Sequence, residues 1–204
     1  MERWLALELA STIRHDGDGG VADDLATPQG LDRWLQAQAE LLAGHVVVGE
    51  VAADDGLRRE IVELRKAVRA LFARAVSPDP PSSADAGRLM PADRALTYIN
   101  SVAAREGVVP QMDWPSEADP VVRLVSSEGD PAVRLPAALA RAAIDFLSGP
   151  QRTRLRACSA PRCVRYFVRS HGRQEWCKPS CGNRARAARH YQRLRLTAED
   201  GQAS

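Results

Sequence analysis

All four cysteines of this 204-residue chain fall within one short stretch, CSAPRCVRYFVRSHGRQEWCKPSC. The spacing is C-x4-C, thirteen residues, then C-x3-C, through Cys158, Cys163, Cys177 and Cys181. Two close pairs separated by a short loop suit a tetrahedral four-thiolate site for one Zn2+. The segment is too small to bury a core, so a metal that closes it would supply the folding energy that apolar area cannot. No cysteine lies outside the pattern, which favours metal over four independent buried or redox-active thiols. Four protein ligands leave no open coordination position, so such a zinc is structural and not catalytic. His171, in the intervening loop, is the weaker competitor for a ligand place.

The same region is strongly basic. Residues 151–196 hold twelve arginines, Lys178 and the single acid Glu175, a charge of +12. Residues 1–150 carry 15 basic and 23 acidic residues, a charge of −8, so the net +2 conceals two opposed halves. An acidic body with a basic end suggests two jobs in one chain, and the basic end wants a polyanion. The N-terminus, MERWLALELASTIRHDGDGG, has a short apolar stretch broken by Glu8 and no signal-peptide pattern. No uncharged apolar run reaches the length of about 18 residues that a membrane helix needs. A cytoplasmic protein with reduced thiols and no membrane partner is therefore expected.

The first 150 residues read as mostly helical. WLALELASTI is an apolar first element, followed by a Gly- and Asp-rich loop, RHDGDGGVADD. Its carboxylates suggest a cation, but they miss calcium-loop spacing, so a solvated acidic loop is preferred. TPQGLDRWLQAQAELLAGH reads as one helix capped by Thr27, with Pro28 in its first turn. Leu57, Ile61, Leu64, Val68, Leu71 and Ala75 form one apolar stripe, capped by Asp54 or Asp55. The stripe is short for a coiled coil, and a core-facing helix is preferred. SPDPPSSADAGRLMP reads as a flexible connection, and a small hairpin or two short strands are expected around residues 107–127. His15 and His45 read as exposed loop histidines. No matched nucleophile and base stands out, so an enzyme is not expected.

Within the basic end, VRYFVRSHGRQEW reads as a strand, a turn at His171 and Gly172, and a returning strand. PSCGNRARAARHYQRLR reads as a helix, with Cys177 and Cys181 facing one side of its first turn. The residues Cys181, Gly182, Asn183 and Arg184, with Trp176 before Cys177 and Tyr166 and Phe167 after the first pair, resemble the CGNR zinc finger family. LALELASTI, DLATPQGLDRWL and the helix before the basic module resemble the ABATE domain that accompanies this finger. One departure is Ser11-Thr12, where that family often has Asn-Thr.

The resemblance implies a stress-induced transcriptional regulator, with a sensing or interacting domain over 1–150, a treble-clef-like finger and basic helix over 151–196, and a disordered tail over 197–204. The fold expected is mainly α with a small β-hairpin element, an α+β chain. The family's ligands map onto Cys158, Cys163, Cys177 and Cys181. Gly182 then allows close backbone approach near the metal, and Asn183 is read as structural.

On the last helix Arg186, Arg189, His190 and Arg193 share a broad face, widened by Arg184 and Arg195. Arg165, Arg169 and Arg173 stand ready to grip a neighbouring backbone. Duplex DNA is the expected partner, with arginines reading guanine or holding phosphate. RNA, or an acidic protein surface including this chain's own body, is the alternative. Leu194 and Tyr191 are expected to turn back to the finger, and Tyr166, Phe167 and Trp176 to form its small core. An unidentified small-molecule ligand and a homodimer complete the expectations, the dimer through symmetric half-sites or the 57–75 stripe.

Overall fold

The computed structural model describes residues 3–16, 20–85 and 87–202, with the side chains of 194–202 excepted. Its elements run α1 (Leu5–Ala10), β1 (Ile13–His15), β2 (Val21–Asp23), α2 (Pro28–Ala37), α3 (Ala39–Leu42), α4 (Asp55–Val76) and α5 (Ala92–Ala103). After these come β3 (Val108–Asp113), β4 (Val121–Ser126), α6 (Pro131–Ser148), β5 (Leu155–Ala157), β6 (Tyr166–Val168) and α7 (Pro179–Gln202). All three strand pairs are antiparallel and two-stranded: β1 with β2, β3 with β4, β5 with β6.

Helix α4 is the central element, packed by α1, α5 and α6. Leu57, Ile61, Leu64, Val68 and Leu71 are all buried in the core, so the apolar stripe is a core face. It is not open to a dimer seam. Asp54 caps α4 by accepting from the Leu57 amide at 2.7 Å, and Thr27 caps α2 by accepting from the Gly30 amide at 3.1 Å. A Cβ on Gly30 would lie 2.2 Å from the Asp24 carbonyl oxygen, so no side chain fits there. Asp130 caps α6, which runs unbroken through Pro136.

Four aromatic rings connect the layers. Trp4 meets Phe146 edge-on at 5.8 Å, Phe146 lies 5.1 Å from Phe72, and Phe72 meets Tyr166 at 5.5 Å. Leu155 and Tyr166 belong to this main core, although they flank the cysteines in sequence. The basic end is thus sewn into the body through β5 and β6.

Several local expectations change. The segment read as a loop after α1 holds β1 and β2, while residues 17–19 of it lie outside the described residues. The tip that carried the cation reading thus falls outside the described residues. The helix expected over residues 27–45 breaks at Gln38 into α2 and α3. His15 and His45 are half-buried rather than exposed. Burial, followed by the charge of Arg141, lowers the His45 pKa and favours the neutral ring. The backbone of α7 continues to Gln202, past residue 196, where the basic helix was expected to end.

Candidate metal centre and basic surface

The metal centre begins with a knuckle. Strands β5 and β6 pair with Leu155 opposite Val168 and Ala157 opposite Tyr166. The Cys158 amide donates to the Arg165 carbonyl at 2.9 Å, closing the loop that holds Cys158 and Cys163. Arg162, at the tip, has φ 61, the left-handed region that a non-glycine residue occupies at some cost. The returning strand expected after His171 does not form. The partner of β6 is β5, upstream of the cysteines, and the chain from Ser170 to Trp176 bends without strand pairing.

Helix α7 brings the second pair. Pro179 begins the helix and Cys181 sits in its first turn, whereas Cys177 precedes it, contrary to the expected one-face placement. All four Sγ atoms lie within 4.8 Å of one another. Cys163 and Cys177 sulfurs are 3.7 Å apart, and Cys177 and Cys181 sulfurs 3.5 Å. Tetrahedral zinc with Zn–S bonds of about 2.3 Å separates its sulfurs by about 3.8 Å, so the four thiols fit one zinc ion. Hydrogen bonds from Cys163 and Cys177 pull the Cys158 pKa down to about 2, while the bond to Cys158 pushes Cys163 up to about 11. A zinc ion binds its cysteine ligands as thiolates, so metal binding displaces their protons. His171 is exposed and outside this cluster.

Second-layer contacts support the sulfurs. Arg184 donates to Cys181 Sγ at 3.1 Å, which raises the arginine's own pKa, and the Cys177 amide donates to Cys158 Sγ at 3.5 Å. Arg184 therefore faces the metal centre, where the sequence placed it on the nucleic-acid surface. Trp176 packs on Phe167 and the cysteines, and a Cβ on Gly182 would lie 3.0 Å from its ring. Gly182 admits an indole, not the metal. Asn183 is exposed and accepts from Arg186 rather than binding the knuckle.

The remaining cations divide. Arg173, Arg186, Arg189, His190 and Arg193 are exposed, and the Arg189 guanidinium lies 5.8 Å from the Trp176 ring centre. The side chain of Arg195 lies outside the described residues, as does that of Leu194. Tyr191 is 66% exposed and does not fold back. Arg165 and Arg169 are half-buried on either side of β6, and both line a cleft of about 440 Å³ between the finger and α1. That cleft also exposes Arg3, Trp4, Leu7 and Lys178.

A buried polar cluster ties the knuckle to α4. Arg69 of α4 grips Asp85 through Nε at 2.8 Å and Nη2 at 3.0 Å, and donates to the carbonyls of Ala10 at 2.6 Å and Val164 at 3.2 Å. Tyr166 donates to Asp85 Oδ2 at 2.7 Å, and burial with the Asp85 charge raises its pKa. Ser82 donates to the Val164 carbonyl at 2.8 Å and Ser83 to the Cys163 carbonyl at 3.2 Å. The segment expected to be a flexible connection is therefore a strap against the zinc knuckle, with Ser82 and Asp85 buried. No sequence pattern marks these residues, because their partners come from three distant elements.

The family described as ABATE, a putative stress-induced transcription regulator, matches residues 4–150. This chain belongs to the ABATE family. Residues 154–194 match the CGNR zinc finger. No curated protein matches the chain. Family membership and geometry agree on a regulator-family protein carrying a four-cysteine site for one structural zinc. Among the described residues no helix is long and apolar enough to cross a membrane.

Proposed function

We propose that this ABATE protein is a non-catalytic, cytoplasmic regulator that binds duplex DNA through α7 and the finger, and whose body responds to a small ligand. The observation that carries the DNA reading is the state of the α7 arginines. Beyond Ala185 the helix is exposed nearly all round through residue 193, and Arg186 and Arg189 have no carboxylate partner among the described residues. This also weighs against docking of the basic helix on the chain's own acidic body. A single-strand RNA reader stacks bases on exposed aromatics. Here Tyr166 and Phe167 are buried and Trp176 is covered by Gly182 and Arg189, leaving Tyr191 as the exposed aromatic ring among the finger's described residues, too little for a stacking platform, which favours the duplex over RNA.

The ligand reading is supported by the cleft along α1. It opposes Trp4 and Leu7 of the body to Arg165 and Lys178 of the finger, a setting for a small anion with an apolar part. A molecule held there touches both family modules at once.

The test is duplex binding by the zinc-loaded protein at several salt concentrations. Arg189→Ala with Arg193→Ala lowers the salt slope by about 2 and weakens all sequences alike if both hold phosphate. Unchanged affinity and slope overturn the assignment, and preference for RNA in competition replaces DNA with RNA.

A further inference from the structure

The hairpin of β3 and β4 stands apart from the rest of the protein. Its extensive contacts are all between its own two strands. Val109, Met112, Trp114, Val121, Val122, Leu124 and Val125 are each between 38% and 69% exposed. An isolated two-stranded hairpin is marginal in water and ordinarily needs a further layer against one face.

The register says which face. Val108 pairs with Ser126, Pro110 with Leu124, and Met112 with Val122. Paired residues share a side, so these six form one face without a single charge. The other face carries Val109, Val121 and Val125 but also Gln111, Asp113 and Arg123, with Arg123 and Asp113 paired at 3.4 Å. Both faces are open to solvent, but only the first is free of charge, so the hairpin is amphipathic and its uncharged face is the one that lacks a covering layer.

We infer that this face is covered by the same face of a second copy of the chain, two hairpins packing across a two-fold axis. An uncharged face is self-complementary, because bringing two copies together opposes no like charges. It offers no cation to phosphate or to an anionic lipid surface; the hairpin's arginine, Arg123, is on the other side. The exposed side chains of the face and Trp114 amount to roughly 600 Å², near the roughly 800 Å² per partner of a stable interface. The helix stripe that the sequence offered for dimerisation is occupied by the core, so it does not compete.

The experiment is sedimentation velocity on the full-length, zinc-loaded protein without DNA, from low to high micromolar concentration. Wild type sediments as a concentration-dependent dimer. Met112→Glu with Val122→Glu places two charges in the contact and weakens association at least about a hundredfold. Gln111→Glu, on the opposite face, leaves it unchanged. Zinc content and the melting transition verify folding; should the double glutamate variant lose its transition, Met112→Gln with Val122→Thr replaces it and weakens the dimer about tenfold. A wild type that stays monomeric throughout, or a face variant that associates as wild type does, overturns the inference. Because DNA is absent, a failure here leaves the duplex-binding reading standing, and the reverse.

Discussion

Helices α4 and α7 are nearly matched in sequence terms, at 22 and 24 residues with five arginines each, yet their arginines meet opposite fates. In α4, Arg65 and Arg69 are 3% exposed, and each forks onto a carboxylate, Asp23 and Asp85 respectively. In α7, Arg186, Arg189 and Arg193 are exposed, and among the described side chains only those of the first turns are buried. The apolar stripe explains the difference. Helix α4 has a continuous core face, so arginines flanking it are drawn inward and must find acids. Helix α7 has no such stripe, and the metal at its start holds it in place of a core.

Removing the metal is the strongest way to break that contrast. Chelation is expected to cost on the order of 10 kcal/mol of finger stability, lost as α7 helicity together with zinc release. Because Tyr166 lies in the main core, calorimetry should show the body destabilised as well. A body melting unchanged after zinc removal would separate the two modules.

Next in size is Arg69→Ala, which leaves Asp85 buried without its cation and is expected to cost about 3–5 kcal/mol in denaturant unfolding. The pH response of Asp23 follows. Burial alone would raise its pKa, but the Arg65 bond and charge outweigh it and hold the carboxylate below its ordinary 3.8. A lowered folded pKa means stability present above the unfolded value and lost as pH falls through the folded one. Acid unfolding below about pH 4 should therefore weaken in dependence on pH in Asp23→Asn. The smallest effect sharpens the comparison from the other side. Arg186→Ala, at an exposed position of α7, is expected to change stability by no more than about 0.5 kcal/mol by thermal melting.

Much of the site was legible early because its signals are local. The cysteine spacing, the caps at Thr27 and at Asp54 or Asp55, and the stripe of α4 all depend on neighbours within a turn or a loop. The hairpin near residue 110 was also readable, from β-branched residues between turn signals. The contact of Arg184 with the metal centre was not readable, because nothing in its spacing says that its guanidinium folds back three residues onto Cys181. The strap was missed because a Pro-, Ser- and Asp-rich segment reads as solvated until a buried arginine is found to need its carboxylate.

By itself, then, the sequence determined a four-thiolate zinc site, a mostly helical body with a core-facing helix over residues 57–75, and a basic helix following the metal. Tertiary structure alone decided which arginines are neutralised, which aromatic rings are covered and that the β3–β4 hairpin is left open. The reason is range. Metal-ligand spacing, capping and amphipathic periodicity act over a few residues, whereas Arg69 meets Asp85 across 16 positions and Arg65 meets Asp23 across 42. Charges that distant pair only after the core has fixed where each helix lies.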